Sequence, residues 1–270
     1  MATINTISPT QGTGGQLMTL TGTGFGPLSS SVKVNFGTKS VTGTVTVSGT
    51  TATCTIPDAC AGQVTVSMTV GSTISNSKPF FYVDAPQCSS LSSNVGPAAP
   101  TVPITISGSG LASATSVTFG VAAPILAANF TKVGDSLITN ITPPNHPGAI
   151  VGDTDTVDVL ITGPGGTSIP SGGPTQFVYY ALPTVTDASP NTGSSSEPGI
   201  VINGTHLVDV SDVFFTDPAA NDFPATDITS LSDLQVVVTA PAGLTTAVVY
   251  DVTVRTPGGD GVALGAFTAA

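Results

Sequence analysis

Apolar and polar residues alternate along much of this 270-residue chain with a period of two, as in Leu17 to Thr21, Val32 to Phe36, Val64 to Val70, Val157 to Thr162 and Tyr250 to Thr256. Side chains on a β-strand point to opposite faces in turn, so this alternation predicts strands with one face buried and one face in water. Val, Ile and Thr dominate these runs, and clusters of Gly, Pro, Ser and Asn interrupt them every ten residues or so. Both features fit antiparallel strands joined by tight turns, and no stretch with helical spacing competes with them. The chain is predicted to be all-β.

The pattern occurs three times. Ser8-Pro9, Gly12 and Gly15 precede the strand Leu17 to Thr21, which runs into Gly22-Thr23-Gly24-Phe25 and then Val32 to Gly37. The same order returns as Ile104 to Ile106, Gly108-Ser109-Gly110-Leu111 and Val117 to Gly120, and again as Ser189-Pro190, Ile200 to Ile202, Gly204-Thr205-His206-Leu207 and Val213 to Phe215. Gly22, Gly108 and Gly204 are spaced 86 and 96 residues apart, the length of a β-sandwich and far above a solenoid repeat, so each copy should own a core. Each copy then ends a strand on proline (Pro57, Pro143, Pro241) and closes on an aromatic strand (Phe80 to Tyr82, Phe177 to Tyr180, Ala266-Phe267). The expected units are 1–84, 85–182 and 183–270, joined by the short proline-bearing links Asp84 to Gln87 and Ala181 to Pro183.

The spaced glycines, the Ser-Pro, the apolar strand and the Gly-x-Gly-Phe that follows it resemble the IPT/TIG family. The first copy matches best, Leu111 stands for the Phe in the second, and His206 stands for the second Gly in the third. The resemblance implies a rod of three tandem immunoglobulin-like (E-set/TIG) β-sandwiches. Glycine at the His206 position would supply a turn with positive φ, which histidine tolerates better than a β-branched residue does. Domains of this family occur in surface and adhesion proteins, beside carbohydrate-active enzymes, in receptor ectodomains and in transcription factors, so the fold alone does not fix function.

Charge narrows the choice. Only 8% of residues are charged and the net charge is −11 with five basic residues, which removes the phosphate neutralisation that nucleic-acid binding needs. The charge is also uneven. Lys33, Lys39 and Lys78 against Asp58 and Asp84 give residues 1–84 a net of +1, whereas nine Asp and Glu197 against Arg255 give residues 183–270 a net of −9. No apolar run is long enough to span a membrane, and no basic segment followed by an apolar one marks a secretory leader. The expectation is an extracellular or cell-surface protein with no visible signal peptide, exported after leader removal or by a leaderless route.

Candidate chemistry is sparse. Asp153, Asp155 and Asp158 are spaced as candidate Ca²⁺ ligands, but without the glycine and distal glutamate of an EF-hand. Asp209, Asp212, Asp217 and Asp222 form a second acidic loop. Cys54 and Cys60 are the candidate disulfide, with Cys88 left over. Of the two histidines, His206 lies in a repeat turn and His146 between prolines, so a nucleophile–His–acid triad is not expected. Gly163-Pro164-Gly165-Gly166 lacks the Lys-Ser/Thr of a phosphate loop and matches Pro257-Gly258-Gly259, as a repeated turn between the last two strands. Tyr82, Tyr179, Tyr180 and Tyr250 fall on core or edge strands, there is no Trp for sugar stacking, and Asn129, Asn140 and Asn203 open Asn-x-Thr sequons.

No cofactor and no enzymatic activity are expected. The sequence points to a structural or adhesion module acting through protein partners, itself included, with head-to-tail fibres as one form. A glycan- or receptor-binding module and a component of a phage or injection particle are the alternatives.

Overall fold

The computed structural model describes residues 1–270 and consists of strands, turns and three short 3₁₀ segments. Buried apolar side chains form three separate clusters, one drawn from Ala2 to Tyr82, one from Cys88 to Tyr179 and one from Val185 to Ala269. Each cluster lies between two sheets.

In the second sandwich one sheet carries Gln87–Leu91, Ile104–Ser109, Leu137–Ile141 and Thr131–Val133. The other carries Val95–Pro97, Gln176–Tyr180, Thr154–Gly163, Ser116–Phe119 and Ile125–Leu126. The third sandwich repeats this order with Thr184–Ser189, Ile200–Thr205, Gln235–Thr239 and Thr226–Ser232 facing Thr192–Gly193, Gly259–Ala269, Val249–Thr256, Asp212–Thr216 and Asp222–Pro224. In the first, Lys39–Val47 is long enough to pair with Ser31–Phe36 at one end and Thr51–Thr55 at the other, so it runs from one sheet into the next and ties both into one continuous path. In all three the short side strand (Gln11–Gly12, Val95–Pro97, Thr192–Gly193) pairs parallel to the closing strand and covers its edge.

The repeated glycine has a steric cause. Opposite Gly22, Gly108 and Gly204 the opening strand bulges, with register shifts at Ile4/Thr6, Cys88/Ser90 and Val185/Asp187. A Cβ on these glycines would lie 1.9, 1.9 and 2.0 Å from the carbonyl oxygens of Thr3, Gln87 and Thr184, inside any van der Waals radius. Only a residue without Cβ lets the bulge close. Two residues on, Gly24, Gly110 and His206 have φ of 74, 70 and 57°, and Phe25, Leu111 and Leu207 then turn into the core, all fully buried. His206 therefore adopts the left-handed turn that the sequence assigns to glycine.

Closing strands are fastened by tyrosine hydroxyls. Tyr82 Oη donates to Pro57 O and Tyr179 Oη to Pro144 O, each at 2.8 Å, so the proline-bearing segment that follows one strand receives the aromatic that closes the sandwich. In the third sandwich Ala269 stands in the place of Tyr82 and Tyr179, and Tyr250 on the preceding strand accepts instead from Thr245 N.

Candidate functional site

The sequence-derived candidates do not converge. Asp153 Oδ1 lies 2.8 Å from His206 Nδ1, Asp155 Oδ2 lies 2.8 Å from His146 Nε2, and Asp158 accepts from Gln176 Nε2 at 3.0 Å. Alternation along Thr154–Gly163 and the pull of separate partners divide the three carboxylates, and no group of three or more His, Cys, Asp or Glu side chains is placed to hold a metal ion. The second acidic loop is dispersed in the same way. Asp209 faces Tyr180, Asp222 accepts from Thr216, and Asp217 caps its own turn through Asn221 and Ala219, with the Asn221 side chain foremost in holding its carboxyl below the usual value.

The three cysteines sit in different surroundings. Cys54, Cys60 and Cys88 are all free, because Cys54 points into the first core from Thr51–Thr55 while Cys60 lies on the exposed loop that follows. Burial pushes the thiols of Cys54 and Cys88 up to about 11. Tyr82, Tyr179 and Tyr250 are core residues with their rings out of reach of a sugar.

His146 organises the long loop of the second sandwich. Its side chain is 9% exposed, its ring packs edge-on against Tyr179 at 5.2 Å, and both nitrogens face acceptors, Nδ1 the carbonyl of Gly148 at 3.1 Å and Nε2 the carboxylate of Asp155. A neutral imidazole has one N–H, so both contacts are donations only when the ring is protonated. The hydrogen bond to Asp155, followed by that to Gly148, raises the His146 pKa above its ordinary 6.5.

The principal constellation lies between the sandwiches, where the Gly-rich turns were read in sequence as turns and nothing more. Gly165, in the turn of the second sandwich, packs on the chain entering from the first: a Cβ there would meet Asp84 O at 2.1 Å. Gly258, its equivalent in the third, packs on Ala181 O, which a Cβ would meet at 2.0 Å. Pro164 beside Gly165 reaches the corner Ile7 to Gln11 of the first sandwich, where Gln16 Nε2 donates to Pro164 O at 3.0 Å. Pro257 reaches the matching corner of the second, beside Ser92, Gly96 and Pro100. Both joints thus have one design, in which glycine makes room for the link and proline stands on the corner of the sandwich before it. The second joint adds two polar ties, His206 to Asp153 and Tyr180 Oη to Asp209 Oδ2 at 2.5 Å, the latter pushing the Tyr180 hydroxyl up to about 12. The available signal was the recurrence of Pro-Gly-Gly in copies two and three against Gly71-Ser72 in copy one.

Fold and joints together define a protein of tandem immunoglobulin-like β-sandwiches. Residues 2–82 match the model of the IPT/TIG domain family, which places the first sandwich in that family. No curated protein matches the chain in sequence. Among solved structures it is similar to the full extracellular region of plexin A4, with 20% identity over 91% of this chain and 21% of that one and a TM-score of 0.44. It thus spans about a fifth of the plexin region. It is also similar to the SGBP-B of a xyloglucan utilization locus in Bacteroides uniformis (13% identity, 98% and 99% covered, TM-score 0.32) and to the I9–I11 tandem of titin (9% identity, 100% of both, TM-score 0.29). No helix is long and apolar enough to cross a membrane.

Proposed function

We propose that this chain is a non-catalytic structural or adhesion protein of the extracellular space or cell surface, with units at 1–84, 85–182 and 183–270, that works through protein–protein contacts. The observation that carries this reading is the repeated joint. The residues the copies share beyond their cores, Pro164-Gly165 and Pro257-Gly258, act to fix one sandwich against the next and not to bind a small molecule. Joints held by sterically required glycines resist bending, and a stiff array presents its ends and edges at set distances. The scattered aspartates and the free, mostly buried cysteines supply no competing chemistry. Protein contacts suit a surface that is 8% charged, since little desolvation of charge opposes association.

Light scattering together with negative-stain electron microscopy, across salt and Ca²⁺ concentrations, tests the reading. The expected result is stiff three-bead particles that join into longer assemblies as protein concentration rises. Monodisperse single particles that bind strongly on a glycan array would contradict it and favour a glycan-binding module.

A further inference from the structure

Two of the three corners in this chain carry the turn of the next sandwich, and the residues of the third, Ser189 to Thr192, are exposed. In the first sandwich Thr13 N donates to Gln16 Oε1 at 3.2 Å, which aims Gln16 Nε2 at Pro164 O. The equivalent corner of the third sandwich, Ser189 to Gly193, is built in the same way. Ser194, in the place of Thr13, donates through Oγ to Glu197 Oε2 at 2.8 Å, and Glu197 holds the place of Gln16 four residues after the side-strand glycine. Its Oε1, standing where Gln16 presents a donor, accepts no hydrogen bond. This corner therefore suits a turn that offers a donor, not the carbonyl of a proline.

One turn in the chain has that chemistry. Gly71-Ser72 of the first sandwich aligns with Pro164-Gly165 and Pro257-Gly258 through the pairs Val70–Thr73, Gly163–Gly166 and Thr256–Gly259. Gly71 has an amide N–H that proline lacks, and its φ of 60° is one proline cannot adopt. Ser72 carries a hydroxyl and a Cβ where the other two turns must have glycine, so this turn cannot pack a link as they do. Both residues are exposed.

Charge points the same way. Lys33 borders the recess beside Gly71 and Thr69 with its ammonium unpaired, while the acids of the first sandwich, Asp58 and Asp84, lie at the opposite end. The open corner of the third sandwich shares its end with Asp217, Asp222 and Asp251: the ladder from Thr192 passes Thr268 to Val249, and Asp251 pairs with Thr216 beside Asp222. The one arginine, Arg255, is held at the other end by Asp260.

We propose that the open corner receives the Gly71-Ser72 turn of a second copy, with Glu197 accepting from the Gly71 amide or the Ser72 hydroxyl and Lys33 facing the acidic end. This rests on the protein-contact reading above and supplies its partner and register. The contact is heterologous, since the two patches differ, and so it propagates where it does not close into a ring.

Directed cross-linking tests it. Two proteins are prepared on a Cys60→Ser background, one with Ser72→Cys and one with Glu197→Cys, their unchanged thermal unfolding serving as the check on folding. On mild oxidation the mixture should give a disulfide-linked dimer of one chain of each kind, several-fold above either protein alone, and Glu197→Lys should weaken wild-type association by about tenfold or more, as loss of a hydrogen bond to a charged group does. Assembly that persists without the mixed disulfide and is indifferent to Glu197→Lys would overturn this register while leaving the protein-contact reading intact. Absence of any association in the wild type would overturn both.

Discussion

Gly108 shows how much a single residue decides. Its missing Cβ is what allows Gln87 O to stand 1.9 Å from that position, so Gly108→Ala must push the bulge open, and overpacking of this kind costs about 3 kcal/mol. Urea unfolding followed by a probe in the second sandwich should register that loss, whereas Gly134→Ala, with open space about its Cβ, should lose only about 1 kcal/mol, the cost of its left-handed φ of 65° to a residue with a Cβ. The repeat made this glycine legible, because recurrence at one strand end marks a steric demand even before the carbonyl that causes it is known. The clamp at His146 was not legible, since its acceptors, Gly148 O and Asp155, meet the ring only when the loop closes over Tyr179. Because its folded-state pKa lies above the unfolded 6.5, its stabilising contribution is complete below that pH and is lost as pH rises through the higher folded value. Stability of the second sandwich should fall over that upper window, and His146→Gln should flatten the profile; an unchanged profile in the variant would discount the clamp. Thiol accessibility offers a separate check. One cysteine per chain, Cys60, should react rapidly with a thiol reagent in the native state, and all three only after unfolding.

Strands were legible nearly residue for residue, because period two, β-branching and glycine or proline boundaries act together. Val64 to Val70, expected from alternation, lies within Gly62–Val70, and Val213 to Phe215 lies within Asp212–Thr216. Lys39–Val47 was harder to see: its inward face is Val41, Gly43 and Val45, and the glycine at the middle of that face removes an apolar side chain from the alternation. Ser75 and Ser168 were also silent in sequence. Each is buried where the closing strand breaks, its Oγ accepting from Met68 N or Ile161 N at 2.9 Å in place of a ladder partner. The turns illustrate the opposite error, a feature found and undervalued. Gly258→Val would set a Cβ 2.0 Å from Ala181 O, so the second joint should open while both neighbouring cores stay folded. Residual dipolar couplings are expected to report one common alignment for the second and third sandwiches in the wild type and two in the variant. A single alignment in both would mean that the turn does not set the joint.

Across the whole molecule the three copies share an architecture and differ in what they present. Residues 1–84 are nearly neutral, residues 183–270 carry nine net negative charges, and the corner that Pro164 and Pro257 occupy in the first two sandwiches is open and acidic in the third. This polarity was visible as a charge count; its pairing with a donor-bearing turn at the other end was not, because Glu197 and Gln16 become equivalents only once the corner is folded. If the molecule works by joining to its own kind through such ends, association must weaken with salt, as exposed charges more than about 10 Å apart are screened near 0.1 M. Sedimentation velocity of the intact chain over a dilution series at low and high ionic strength is the most direct measurement. Species larger than the monomer should grow with concentration at low salt and recede at high salt; a single monomer boundary at every concentration and both salts would contradict self-association through these ends.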